Sequence, residues 1–499
     1  MMVNSAGMRI WHYAALLCWT SGRTYGWMSS SAGFSGGRMG ALSRPVLRSG
    51  GVGMMKMSES SSSSSESNSS EDWNVVLKPS GDADAFDEFQ IGTARVHRYS
   101  REEMGVGAEG GEAEYVMWYH GRNSGLKGKL PPLSTGRIGR AVSRNGLVWE
   151  RCTEGSLSED FEGVALGLNA ESWWGFDTAH VGLGQVLLPM STPAVMAQGG
   201  VYLMYYMGGS FEETPLDNYL QAEGAADAVV QGMNMRIGVA MSQDGKTWGR
   251  VEGDDPTGAI MAPFSKDDPN MEDLIDVVDD DGKPILLPEE LYCAWPDVVY
   301  NDKPRNKSEN FYMFYSTMTK HDRTKQIAYA ISEDGVRWFK RGLSLKPDLL
   351  DPQQSAGCAR CTVVRHALFD EKTNVWIDHP TIRYLMLYEG VSAEDNKHRL
   401  FVATSDDARK WDKLGMLLDV NSQPQAWDSQ AVGSPDLIRL DDGTTRLYYT
   451  GQNADGQTAV GVAKCTQPDI LASFFQDQAS DDKHQTAFVR EKAQFAMSL

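Results

Sequence analysis

The chain has 499 residues, 41% of them hydrophobic, enough to bury a large core. Its formal net charge is −20, and all 67 acids but only 41 of the 47 basic residues lie beyond residue 58, leaving that part near −26. So acidic a body excludes nucleic acid and anionic membrane surfaces as partners, because phosphate binding needs a basic patch. Six cysteines in this length form no disulfide framework.

Residues 1–58 contain no acid, carry Arg9, Arg23, Arg38, Arg44, Arg48 and Lys56, and are rich in Ser and Gly. That composition predicts a removable targeting presequence. Its apolar run Tyr13–Trp19 is too short to span a bilayer, so no membrane insertion is expected. Ser31-Ala-Gly-Phe34 resembles the small-residue-then-Phe junction of presequences in algae with secondary plastids, which implies plastid import, with secretion as the alternative. Residues 59–71 form a Ser-rich linker. A folded region is expected over 72–468 and a C-terminal tail over 469–499.

One pattern recurs through the folded region. A Tyr-rich strand appears five times: Tyr115–Gly121, Tyr202–Gly208, Phe311–Ser316, Tyr384–Gly390 and Arg446–Gly451. A second run ending in Ser-x-Asp-Gly-x-x-Trp, or a close variant, follows the first four, at Ile138–Trp149, Ile237–Trp248, Ile327–Trp338 and Leu400–Trp411. The fifth stops at Val460–Ala463. Dense aromatic and branched residues suit strands buried on both faces. Asn145-Gly146, Asp244-Gly245 and Asp334-Gly335 read as two-residue hairpin turns, with the Trp beyond each opening an outer strand. Five such antiparallel units arranged radially predict an all-β, five-bladed β-propeller. Because the fifth unit is truncated, Asp72–Lys78 is expected to complete it from the N-terminal side.

In a propeller the start of each inner strand and the end of the second strand share one face. Inner strands are expected to open at Thr192-Pro-Ala, Trp295-Pro-Asp297, Arg360-Cys-Thr and Ser434-Pro-Asp436, with His120, Met207, Ser316, Glu389 and Thr450 at the same rim. Two further segments match each other, Gly175–Gly182 and Ala426–Gly433, aligning Asp177 with Asp428. Trp174, Trp295 and Trp427 stand beside these acids, as aromatics beside carboxylates do in sugar sites. Asp177, Asp297, Asp436 and Glu389 are the candidate catalytic acids. Trp174, His180, Trp295, Trp427, His120 and Arg360 are the candidate carbohydrate-binding residues. An Asp after Pro equally suits a turn cap, and His120 and His180 equally suit ordinary hydrogen-bonded positions. Cys358-Ala-Arg-Cys361 lacks a second pair, which points to two buried thiols and to no metal site.

Ala294-Trp-Pro-Asp-Val-Val-Tyr300 with its following Tyr-rich strand, and Ser434-Pro-Asp-Leu-Ile438 with Leu447-Tyr-Tyr-Thr-Gly451, resemble the five-bladed propeller glycoside hydrolases. These are the arabinanases and β-xylosidases, with the related invertases, levansucrases and mannoside phosphorylases. The resemblance covers about residues 85–465. It implies cleavage of glycosidic bonds by paired carboxylates, with Asp297 as the Asp that tunes and orients. It also implies a Glu at the next inner strand, where this chain has Gly357-Cys-Ala-Arg-Cys361. Some relatives hold calcium in the channel, but no motif here requires it and no cofactor is expected. Two readings stay open: a glycoside hydrolase-like enzyme acting on a glycan, and a non-catalytic propeller that binds sugar or protein through the same funnel.

Overall fold

The computed structural model describes residues 73–99, 114–124, 135–155, 161–188, 201–219, 225, 228–267, 283–284, 287–472, 474 and 488–493. The expected presequence, the Ser-rich linker and Thr192–Met196 lie outside the described residues.

The architecture is all-β. Each Tyr-rich run becomes the second strand of an antiparallel unit, and three of them, Phe311–Thr319, Tyr384–Val391 and Thr445–Gln452, are buried at every position. The first unit comprises Gln90–Tyr99, Glu114–Arg122 and Arg137–Ser143, edged by Glu150–Arg151 and Val164–Leu166. The second comprises His180–Leu187, Tyr202–Gly209, Arg236–Ser242 and Gly249–Val251. The third comprises Glu290–Tyr300, Phe311–Thr319, Lys325–Ser332 and Phe339–Leu345. The fourth comprises Gly357–Arg365, Tyr384–Val391, His398–Ser405 and Asp412–Leu418. The fifth has Ala431–Arg439, Thr445–Gln452 and Thr458–Cys465.

The fifth unit finds its outer strand at two distant places. Val75–Leu77 pairs at Val460 and Gly461, and Val489–Arg490 pairs at Ala463 and Lys464, end to end along the same edge. The N-terminal segment thus pairs as its sequence predicts. The stretch expected as a tail returns instead to the core, with Phe488 buried beside Leu471 and Leu418. Its amphipathic residues are too few to signal a strand, but they cover an edge that would otherwise be open.

Hydrogen bonding joins the last three units into one sheet through single parallel pairs, Lys325 with Gly357 and His398 with Ala431. The first two units remain separate sheets, so the ladders do not close on themselves. The first strands nevertheless pack side by side in chain order, and that of the fifth unit packs against that of the first.

The Ser-x-Asp-Gly segments are not two-residue hairpins. In the first unit the strands end at Ser143 and resume at Glu150, and the intervening loop is wound on side chains. Ser143 Oγ accepts the Gly146 N–H at 2.9 Å, and Asn145 Oδ1 accepts those of Leu147 and Val148. Ser242 with Asp244, Ser332 with Asp334 and Ser405 with Asp407 repeat the arrangement. This position favours Gly because its φ is +73°, +68° and +79° in the first three loops, although Ala408 takes +61° in the fourth. Trp149 and Trp338 lead directly into the outer strands at Glu150 and Phe339, and their indole N–H folds back onto the Gly carbonyl at 3.1 Å. That same carbonyl ties neighbouring units together. Trp118 Nε1 donates to Gly245, Tyr205 OH to Gly335, and Tyr448 OH, from the fifth unit, to Gly146 of the first.

Candidate functional site

Inside each unit a Tyr hydroxyl is held by a polar side chain that precedes or opens the inner strand and is shared with a cation on the outer strand. Tyr206 OH donates to Asp177 Oδ2 at 2.9 Å, and Arg250 Nε meets the same oxygen at 2.7 Å. Tyr119, Asp87 and Arg151 repeat this, as do Tyr315, Glu290 and Lys340. So do Tyr388, Gln354 and Lys413, and Tyr449, Asp428 and Arg490. The five clamps explain the alignment of Asp177 with Asp428. Asp177, expected among the catalytic acids, is therefore a buried clamp residue. Trp427 is likewise internal: it stacks on Tyr449 at 5.4 Å and donates to Asn74, and it forms no sugar wall. Trp174 lies half-exposed against Gly258, away from the pocket described below. His180 is buried, its Nε2 2.8 Å from the Gly232 carbonyl.

The inner strands share a second device, a bulge near their start. The register shifts after Gly92, Leu183, Ala294, Cys358 and Gly433. Thr93, Trp295 and Ser434 take φ values of +47°, +49° and +48° there, a strained conformation for residues with a Cβ. The second inner strand thus opens at His180, upstream of the expected Thr192.

Immediately past the bulges stand Arg95, Gln185, Asp297, Cys361 and Asp436 at equivalent register positions. Arg95 reaches all four other inner strands. Its Nε donates to Gly184 O at 2.6 Å, and its terminal nitrogens reach Pro435 O, Cys361 O, Asp436 Oδ1 and, at 3.2 Å, Asp297 Oδ1. Asp297 also accepts from Val363 N and Gln185 Nε2, and Asp436 from Val96 N. The two acids are therefore brought together, as expected, but around a shared guanidinium and stapled to neighbouring strands. Burial raises the Asp297 carboxyl to about 6 against the opposing pull of Arg95 and the Val363 N–H. It raises Asp436 in the same way. Cys358 and Cys361 are buried thiols.

Above this layer, missing side chains admit rim groups from neighbouring units. A Cβ on Gly92 would meet Thr450 at 2.9 Å, and one on Gly433 would strike Glu389 Oε2 at 2.2 Å. Glu389 is thereby carried to Ser434, whose backbone N–H it accepts at 3.2 Å, and it pairs with His398 Nδ1. Although burial opposes it, Arg360 and His398 hold Glu389 down at about 2, an anion at neutral pH. Arg360 lies 4.6 Å over the Trp295 ring, donates to Ser434 Oγ at 2.9 Å and stands 4.0 Å from Glu389.

His120, Trp295 and Arg360 meet at a small recess of about 20 Å³, open to solvent and lined also by Gln90, Gly92, Thr93, Arg122 and Thr458. Burial, then Arg122, His180 and Arg360, push His120 well below its ordinary value, leaving a neutral ring able to donate and accept. Tyr292 and Trp295 join an apolar cluster with Leu216, Tyr219 and Val230 of the inserted hairpin Glu213–Pro215/Val229–Gln231, which backs the pocket wall. Of the expected site residues, His120, Trp295 and Arg360 line this pocket. Glu389 stands behind Arg360, and Asp297 and Asp436 lie beside Arg95.

Sequence reasoning missed Arg95, Arg122 and Gln90. Arg122 was within reach of it: it stands two residues beyond His120 on the same strand face and pairs in register with Gln90.

No family model matches the chain. Over 137 residues it is 31% identical to the uncharacterized protein Rv1502 of Mycobacterium tuberculosis (strain ATCC 25618 / H37Rv), covering 28% of this chain and 39% of that protein. The uncharacterized protein MT1551 of strain CDC 1551 / Oshkosh matches at 28% identity with the same coverage. The chain thus spans about two fifths of the length of these curated relatives. Among solved structures, a glycoside hydrolase superposes with a TM-score of 0.47 at 16% identity, over 79% of this chain and 91% of its own. A glycosyl hydrolase from Bacteroides ovatus gives 0.46 at 15%, over 80% and 93%. A β-1,2-mannobiose phosphorylase from Listeria innocua gives 0.43 at 11%, over 78% and 93%.

Proposed function

We propose that the five units close into a five-bladed β-propeller and that the pocket at its funnel mouth binds a carbohydrate. Closure is supported by the Tyr448–Gly146 bond from the last unit to the first, and by one guanidinium reaching four other inner strands. The observation that carries the sugar reading is the convergence of Gln90, Thr93, His120, Arg122 and Arg360 beside the Trp295 wall. Fixed donors and acceptors around one apolar surface suit a hydroxyl-rich ring with an apolar face.

Binding is favoured over paired-carboxylate hydrolysis. Such hydrolysis needs one carboxyl that keeps its proton beside the leaving oxygen and a second that acts on carbon or water. Here Asp297 and Asp436 share Arg95, and Glu389 is fixed as an anion. No carboxylate is among the described residues lining the pocket. Calorimetric titration against a panel of oligosaccharides tests this, alongside assays for released reducing ends. The expected outcome is binding without turnover, weakened about tenfold or more in Trp295→Ala. Absence of binding to any glycan overturns the sugar reading. Turnover abolished by Asp297→Asn or Asp436→Asn, with the fold intact, restores the hydrolase.

We also propose plastid delivery by residues 1–58, on their acid-free composition. A fluorescent fusion of those residues that stays in the cytosol overturns it.

A further inference from the structure

The pocket contrasts with the molecule around it. The chain carries a net charge of −20, yet the charged residues described as lining the pocket are Arg122 and Arg360. Both are nine-tenths buried, at 8% and 6% exposure. Arg360 is braced by Trp295 and Ser434, so its guanidinium is set in place before a ligand arrives. One carboxylate, Glu389, stands behind it at 4.0 Å. Beside the pocket, burial first and then Arg122 and Arg137, against the bond to the Gly232 carbonyl, hold His180 down at about 4.

We propose that the sugar unit bound in this pocket carries a negative charge, a carboxylate or a phosphate ester, seated on Arg122 and Arg360 with neutral His120 as an additional hydrogen-bond partner. This rests on the reading of the pocket as a carbohydrate site. Guanidinium forks match both groups in geometry, and charge-assisted bonds of this kind are about twice as strong as neutral ones.

The full chain is titrated with galacturonate oligosaccharides and with mannose 6-phosphate. Their neutral counterparts, galactose oligosaccharides and mannose, and inorganic phosphate are titrated in parallel. At least one charged sugar is expected to bind about tenfold or more tighter than its neutral counterpart, with an advantage that shrinks as salt rises. Which charged sugar binds decides between carboxylate and phosphate. Arg122→Gln and Arg360→Gln should each cost about tenfold more in affinity for the charged sugar than for the neutral one. Because Arg360 also braces Ser434, Arg360→Lys is run beside it with thermal midpoints measured, and the ligand contrast stands without any variant. Equal affinity for charged and neutral sugars overturns this inference and leaves the sugar reading standing. Phosphate binding with no affinity for any sugar overturns both.

Discussion

Single buried residues on the first two strands of these units have opposite dependences on pH. An Asp in an unfolded chain ionises near pH 3.9, whereas Asp297 keeps its proton to about 6 in the fold. Between these values the folded state holds the extra proton. Its contribution is full below about pH 4 and is lost as pH rises through 6. Glu389 behaves oppositely: ionised down to about 2, it stabilises above about pH 4.3 and that contribution is lost as pH falls toward 2. Unfolding of wild type and Asp297→Asn by urea at pH 4 and pH 7 checks the first statement. The variant should gain on wild type by about 1–3 kcal/mol between the two pH values, and an unchanged difference would show that Asp297 ionises normally. Gly433→Ala places a methyl group against a carboxylate pinned by His398 and Ser434, and should cost about 1–3 kcal/mol in the same assay. A loss below about 0.5 kcal/mol would mean that Glu389 moves aside freely. At this scale the sequence revealed Asp297 and Asp436, because a Pro before an Asp at a strand start is a local signal. Arg95 was not legible, because its partners lie 89 to 341 positions away and no neighbour marks it. Asp177 misled for a physical reason: a clamp acid beside an aromatic has the same local pattern as a sugar-site acid.

Elements were more readable than residues. All five Tyr-rich runs are second strands, and the repeated turn chemistry is present, although it winds a longer loop than the Asn-Gly and Asp-Gly pairs suggest. The N-terminal strand was legible because the fifth unit lacked an outer strand. Its C-terminal companion was not, since two paired residues carry no periodicity. A chain begun at Glu71 should keep the wild-type thermal midpoint. One begun at Pro79 loses buried Val75, Val76 and Leu77 and both side-chain bonds of Asn74, to Tyr449 and Trp427. It should be less stable by about 4 kcal/mol or more. Equal midpoints for the two chains would show that the strand contributes nothing to the core.

For the molecule as a whole, the outer edge of the last unit is assembled from residues 75–77 and 489–490, on a strand at 458–465. Before those last residues leave the ribosome, or a translocation pore, Asp428 has no Arg490 and the strand edge beyond Ala463 is bare. A chain stopped shortly after residue 465 would still contain every repeat, but it would hold a buried carboxylate without its counter-ion, a state that costs about 3–5 kcal/mol. Its open edge would also be free to pair with another copy. Commitment to the native state therefore waits until residue 490 is free to pair. The window between residue 465 and residue 490 is where the chain is most exposed to self-association and most dependent on whatever shields nascent strands.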